Sequence, residues 1–202
     1  QLLGSPRIVG DTSNGHTGLD TGRTRAVLDA AAKAAGWGRA MAPRSGLGIA
    51  FYFSHRGYFA SVAEVKVADD GTVKVVKVWV AGDVGRQIVN PSGANNQIVG
   101  STLDAINATL NQQITVANGR VEQSNFDDYP LLRIADAPPV AVEMVTSDNP
   151  PTGLGEPAYP PVPPASTRNR RRRLRGIAPS RRTMIGPVSS TIRESVSGGE
   201  PA

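Results

Sequence analysis

The chain contains no cysteine and only two histidines, His16 and His55. Without thiols it can form no disulfide, no Cys-ligated zinc site and no iron–sulfur cluster of its own. Two histidines are too few for a self-contained His-rich metal site. Aromatic residues make up 5% of the chain, and none interleaves with basic residues as a base-stacking platform requires. No apolar run approaches the roughly 18 residues of a membrane-spanning helix. A glycine-rich dinucleotide fingerprint, a P-loop and a serine nucleophile elbow are all missing. No basic-plus-apolar signal segment follows Gln1, and with no initial Met the chain reads as a processed or partial product.

Glycine (22) and proline (16) are plentiful among the 202 residues, so turns and irregular stretches are expected around one modest core. The net charge of +5 is unevenly placed. Residues 166–202 hold 9 basic and 2 acidic side chains, a net of +7; residues 1–165 hold 13 basic and 15 acidic, a net of −2. The basicity belongs to the tail, and a nucleic-acid partner is not expected because no recognised binding signature accompanies it.

Residues 1–22 read as an irregular leader. An Ala-rich helix is predicted over 24–35, with Gly36 as its C-cap and Trp37 packing beyond it. Strands are predicted over 47–53, 58–67 and 72–80, the last two joined by the Asp69-Asp70-Gly71 turn. They form an antiparallel sheet apolar enough to be covered on both faces. A second helix is predicted from about Ser92 to Leu110. Segments 112–116 and 120–122 flank Asn118-Gly119, a hairpin signal. A strand follows at 140–145. A proline- and glycine-rich loop then runs through Asn149–Pro157, and proline continues to Pro164. From Ser166 an arginine cluster and a Ser/Gly/Pro-rich end are expected to be disordered. The break after Ala165 reads as a changed frame or a divergent terminus.

Glu156, in Gly-Leu-Gly-Glu-Pro, is a candidate general base, because glycine permits close approach and the following proline restrains the carboxylate. The alternative is a solvated acid at a surface turn. Gln97, with Asn95, Asn96 and Gly100, lies near a helix start where amides and free N–H groups could meet a polar ligand, or could simply cap the helix. Arg86 could face an anion or pair with a surface acid. His55 sits between two strands and reads equally as a solvated side chain. Asp127, Asp128 and Tyr129 form a polar knot with too few oxygens for a divalent metal.

Five segments in order resemble one family: TRAVLDAAAKAAGW (24–37 from Thr24), GYFASVAEV (57–65), GDVGRQIVNPSGANNQIVG (82–100), VEQSNFDDYPLLR (121–133) and PTGLGEPAYPPVPP (151–164). They are similar to the C-terminal part of the molybdopterin-binding subunit of xanthine dehydrogenase/aldehyde oxidase-type hydroxylases. The nearest branch is that of isoquinoline 1-oxidoreductase beta-type and membrane-associated aldehyde dehydrogenase subunits. The resemblance implies an α+β fold, the C-terminal part of a molybdopterin-binding domain. Small mixed or antiparallel sheets, packed helices and a proline-rich active-site loop would occupy residues 23–165.

By the same resemblance, Glu156 is the catalytic general base. Gln97 hydrogen-bonds near the molybdenum–dithiolene end of the cofactor, and Asn95, Asn96 and Gly100 shape the same wall. No residue of this chain ligates the metal. The implied cofactor is molybdenum-molybdopterin, in its cytosine dinucleotide form, with 2Fe-2S centres on a partner subunit. The implied reaction oxidises an aldehyde, or an N-heterocycle, with water-derived oxygen and passes electrons to those centres. Implied partners are the remaining molybdopterin-binding chain or segment, the 2Fe-2S subunit, a membrane cytochrome c subunit and a small-molecule substrate, in a periplasmic, membrane-associated assembly. The sequence departs from the family at Val99, commonly Glu, and lacks the earlier Gly-Gly-x-Phe-Gly segment, so it offers one wall of the site. The competing expectation is a non-catalytic structural or binding fragment whose basic tail contacts anionic surfaces.

Overall fold

The computed structural model describes residues 3–10, 12–13 and 18–173, with side chains through Thr167. His16 and the tail beyond Arg173 lie outside the described residues.

The described residues of the leader carry more regular structure than its composition predicts. Strand β1 (Ile8–Val9) pairs antiparallel with β2 (Leu19–Asp20). Asp20 then caps helix α1 (Thr21–Ala34), its carboxylate accepting from Gly22 N–H at 2.7 Å and Arg23 N–H at 3.2 Å. The helix thus starts three residues earlier than its apolar period suggests, because the cap rather than the stripe sets its first turn. The Asp20 N–H also donates to the Tyr58 hydroxyl at 2.8 Å, tying the leader to the sheet. Trp37 follows the helix but is 48% exposed, so it does not pack as expected.

Three long strands follow: β3 (Ser45–Ser54), β4 (Gly57–Val67) and β5 (Val73–Asp83). They are antiparallel neighbours, with a register shift at Glu64/Val65. Helix α2 (Pro91–Leu110) comes next, then a small hairpin of β6 (Val116–Ala117) and β7 (Arg120–Val121) across Asn118-Gly119. Strand β8 (Val140–Met144) joins the sheet parallel to β5, which gives the order β3-β4-β5-β8. A parallel neighbour needs a long crossover, and α2 with the segment after it supplies one.

Strand alternation sends residues to opposite faces, and both faces are covered. Tyr58, Ala60, Val62, Trp79 and Ala81 meet Val27 and Ala31 of α1 and Ala35 at its C-terminal cap. Phe59, Ala63, Val65, Val78 and Val80 meet Ile98, Ala105 and Ile106 of α2 together with Val162 and Ala165. The last two belong to α3 (Val162–Arg173), a helix that runs through the expected boundary at 165/166. Ser166 is buried and its hydroxyl donates to the Val162 carbonyl at 2.9 Å. Prolines at 163 and 164 fall in the first turn, where their missing N–H groups cost nothing. Small residues at 165 and 166 let α3 lie on β3 at Gly48, where an added Cβ would stand 2.0 Å from the Ala165 carbonyl oxygen. The composition break at Ala165 is therefore not a structural break.

Candidate functional site

Helix α2 begins at Asn90, whose side chain accepts from Gly93 N–H at 2.9 Å, with Pro91 in the first helical position. Ala94, Ile98, Thr102, Ala105 and Ile106 form its buried stripe. Advancing about 100° per residue, Gln97, Gly100, Ser101 and Asp104 share the opposite face within an arc of about 100°. Asn95 lies about 160° from Gln97 on the same projection. Asn96 falls beside Gly100 at the rim.

The Gly-Pro segment approaches this exposed face. Its course starts from β5: an added Cβ at Gly85, whose φ is +94°, would come within 2.3 Å of the Pro150 carbonyl. Only glycine allows the two backbones so close at that φ. Thr152 N–H then donates to the Val84 carbonyl at 2.9 Å, and Leu154 packs against the core. Pro157 and Ala158 are buried, while Tyr159 N–H closes a turn on the Glu156 carbonyl at 2.9 Å. The Ser101 hydroxyl lies 2.7 Å from the Gln97 carbonyl and 3.3 Å from that of Gly155, joining α2 to the segment that carries Glu156.

Between them lies an open cavity of about 500 Å³ lined by Gly100, Ser101, Asp104, Glu156, Tyr159 and Pro160. Of the expected residues, Glu156 and Gly100 line it. Gln97 is exposed on the same helix face one turn away; Asn95 and Asn96 are exposed and do not line it. Nothing stands within 4 Å of where a Cβ would sit at Gly100 or Gly155, so a bulky polar group can reach backbone at both places. Burial pushes the Tyr159 hydroxyl up from its ordinary value, and the charges of Asp104 and Tyr129 add to it. Ser101, Asp104 and Tyr159 were not singled out in the sequence. The i, i+3, i+4, i+7 spacing of Gln97, Gly100, Ser101 and Asp104 is the signal that brings the first two of these onto the face.

A buried ion pair lies where the chain enters this segment, bonded to Ser147. Asp83, 1% exposed at the end of β5, accepts from Arg23 Nε at 2.7 Å and Nη2 at 2.8 Å. It also accepts from Gly85 N–H and the Ser147 hydroxyl, each at 2.9 Å. Burial alone would raise the Asp83 carboxyl; the hydrogen bonds from Arg23, Gly85 and Ser147, with the Arg23 charge, outweigh it and hold the pKa below the usual value. The Arg23 guanidinium lies 4.2 Å from the Tyr58 ring centre.

The other sequence candidates are separate from the cavity. His55 is exposed at the tip between β3 and β4, with Nδ1 2.8 Å from the Ser54 hydroxyl. Arg86 is exposed, its N–H donating to Asn149. Asp128 accepts from Ser124 N–H, Asn125 N–H and the Ser124 hydroxyl, so the knot at 127–129 is a turn. Among the described residues no group of three or more His, Cys, Asp or Glu could hold a metal ion.

Residues 24–138 match the family described as the molybdopterin cofactor-binding domain. Over 138 residues the chain is 32% identical to isoquinoline 1-oxidoreductase subunit beta of Brevundimonas diminuta, covering 66% of this chain and 18% of that protein. It is also 32% identical over 149 residues to a membrane-bound aldehyde dehydrogenase (pyrroloquinoline-quinone) of Gluconacetobacter polyoxogenes, covering 71% and 19%. The chain thus spans about a fifth of the length of these relatives. Its fold is similar to part of quinoline 2-oxidoreductase from Pseudomonas putida 86, with a TM-score of 0.55 and 22% identity, over 59% of this chain and 16% of that one. With the family match covering more than half its length, the chain belongs to the molybdopterin cofactor-binding domain family.

Proposed function

We propose that this chain supplies one wall of the active site of a molybdenum hydroxylase that oxidises an aldehyde, with N-heterocycles as the alternative substrate class. The observation that carries the reading is the convergence of Glu156 with the Gly100–Asp104 face of α2 on one cavity. The donor set suits a large polar cofactor. Open space beside Gly100 and Gly155 admits it to backbone, and the exposed Gln97 amide can both donate and accept. Gln97 and Gly100 would hold the dithiolene end, with Asn96 at the rim and Asn95 further round the helix.

When bound, molybdenum-molybdopterin supplies the two-electron redox chemistry of the oxidation. Glu156 acts as general base: a carboxylate oxygen takes the proton from the water-derived hydroxyl that attacks the electron-poor substrate carbon. The buried Pro157 and the Tyr159-to-Glu156 turn hold the carboxylate at the cavity edge and reduce the cost of aligning it.

The rest of the cofactor site would come from the remaining molybdopterin-binding chain or segment, since this chain spans about a fifth of its relatives' length. Electrons would pass to 2Fe-2S centres on a partner subunit, as a chain without cysteine supplies no cluster ligands. The cytosine dinucleotide form of the cofactor and a periplasmic, membrane-associated assembly complete the reading. Among the described residues no helix is long and apolar enough to cross a membrane. A cytochrome c subunit is the proposed membrane partner. Metal and pterin analysis of the native complex tests this. Molybdenum and pterin copurifying with this chain and larger partner chains are expected; a metal-free, solitary chain would favour the non-catalytic reading.

A further inference from the structure

The two sides of Glu156 are fastened unequally. On its C-terminal side Pro157 is buried, and the Tyr159 N–H holds the Glu156 carbonyl at 2.9 Å. On its N-terminal side the last backbone anchor is Thr152 N–H on Val84, four residues away. Between Thr152 and the Glu156 carbonyl, the Ser101 hydroxyl is the one hydrogen-bond partner the described residues give the segment, at the Gly155 carbonyl, 3.3 Å away. Gly155 is exposed, and nothing stands within 4 Å of an added Cβ there, so no neighbour packs over its Cα on that side. A glycine peptide without packing can rotate, and rotation of the Gly155–Glu156 unit redirects the Glu156 side chain.

We propose that Ser101 is a positioning residue: its hydroxyl holds the Gly155 carbonyl and thereby fixes the peptide unit that aims the Glu156 carboxylate into the cavity. This rests on the reading of Glu156 as the base. The same hydroxyl sits 2.7 Å from the Gln97 carbonyl, so it shares its proton between the helix and the segment. Ser101 therefore registers the base against the turn of α2 that carries Gln97. A side chain in this role needs a hydroxyl and little bulk, which makes threonine the conservative replacement and alanine the disruptive one. Alanine is the better helix former at an exposed helix face, so Ser101→Ala is not expected to unfold α2.

The test uses the assembled enzyme, with turnover on an aldehyde substrate and site-resolved hydrogen–deuterium exchange at the Tyr159 amide. That amide is bonded to the Glu156 carbonyl and reports loosening of the turn. Ser101→Ala is expected to lower kcat about 10- to 100-fold with KM nearly unchanged, the size of effect that a small misplacement of a catalytic group produces. It is also expected to speed Tyr159 exchange several-fold while leaving the buried amides of α2 unchanged, with molybdenum content retained. Ser101→Thr is expected to restore both readouts. Unchanged kcat in Ser101→Ala, unchanged Tyr159 exchange, or failure of Ser101→Thr to restore them would overturn the proposal. Glu156→Gln serves as the separate arm: if it retains turnover, the base assignment fails, whereas Tyr159 exchange in Ser101→Ala still reports on the Ser101 bond by itself.

Discussion

Removing the Arg23 guanidinium should expose how strongly the buried ion pair anchors the 147–156 segment. Asp83 is 1% exposed and the Arg23 side chain 14%, so solvent screens the pair little. In Arg23→Ala the carboxylate keeps only Gly85 N–H and the Ser147 hydroxyl. A buried charge stripped of its partner typically costs about 3–5 kcal/mol. Asp83→Ala leaves a buried guanidinium next to the Tyr58 ring and should cost a similar amount. The double variant leaves neither charge uncompensated, so its cost should fall short of the sum by about 2 kcal/mol, within the range for contacting residues. Urea unfolding of all four proteins at pH 7 measures this, read from midpoints at constant slope.

The pH dependence follows from the sign of the shift. The folded Asp83 pKa is depressed, so the pair's stabilisation is present above the unfolded carboxyl value, about 3.9, and is lost as pH falls through the folded value. In Arg23→Ala burial acts without the guanidinium, the folded pKa rises, and the deficit relative to the native chain should shrink as pH falls from 7 toward 4. Costs that add to within about 0.5 kcal/mol, or a deficit independent of pH, would refute the account of Asp83 as a charge held by Arg23.

Gly48→Ala places a Cβ 2.0 Å from the Ala165 carbonyl oxygen and 3.0 Å from its carbon. Both atoms are backbone, so α3 must move, and thermal unfolding should show a loss of about 1–3 kcal/mol or more. An unchanged midpoint would mean that α3 does not rest on β3. Asn90→Ala removes the cap of α2 and should cost about 1 kcal/mol by denaturant titration. Ser61 carries a fully buried hydroxyl without a hydrogen-bond partner among the described residues. Ser61→Ala should therefore be neutral or stabilising by up to about 1 kcal/mol in the same titration.

The sheet was legible because β4 and β5 are apolar at both parities, which a strand covered on two sides must be. The Asn118-Gly119 hairpin was legible because both residues take positive φ, 51° and 77°. The leader was not, since its order depends on a distant acceptor, the Tyr58 hydroxyl. Arginine content obscured α3, whose placement is decided instead by Ala165, Ser166 and the absent side chain at Gly48. In the site, Glu156 stood out through the Gly-Leu-Gly-Glu-Pro pattern as a candidate base beside the reading of a solvated acid, and the resemblance favoured the first. Helical spacing puts Ser101 and Asp104 on the face of Gln97, but they matter because a segment more than fifty residues later docks there. Asn95 belonged to the amide run by sequence adjacency, but a helix separates neighbours by about 100° and turns it away from Gln97.

Glu156 is the residue on which the proposed chemistry turns. Replacing it with glutamine keeps the size of the side chain and its place at the cavity edge while removing the basic oxygen. Turnover and molybdenum content should be measured together on the assembled enzyme carrying Glu156→Gln. Turnover is expected to fall by at least about 100-fold, the low end of what a general base contributes, with molybdenum near the native amount. Turnover close to native, at full molybdenum content, would contradict Glu156 as the base.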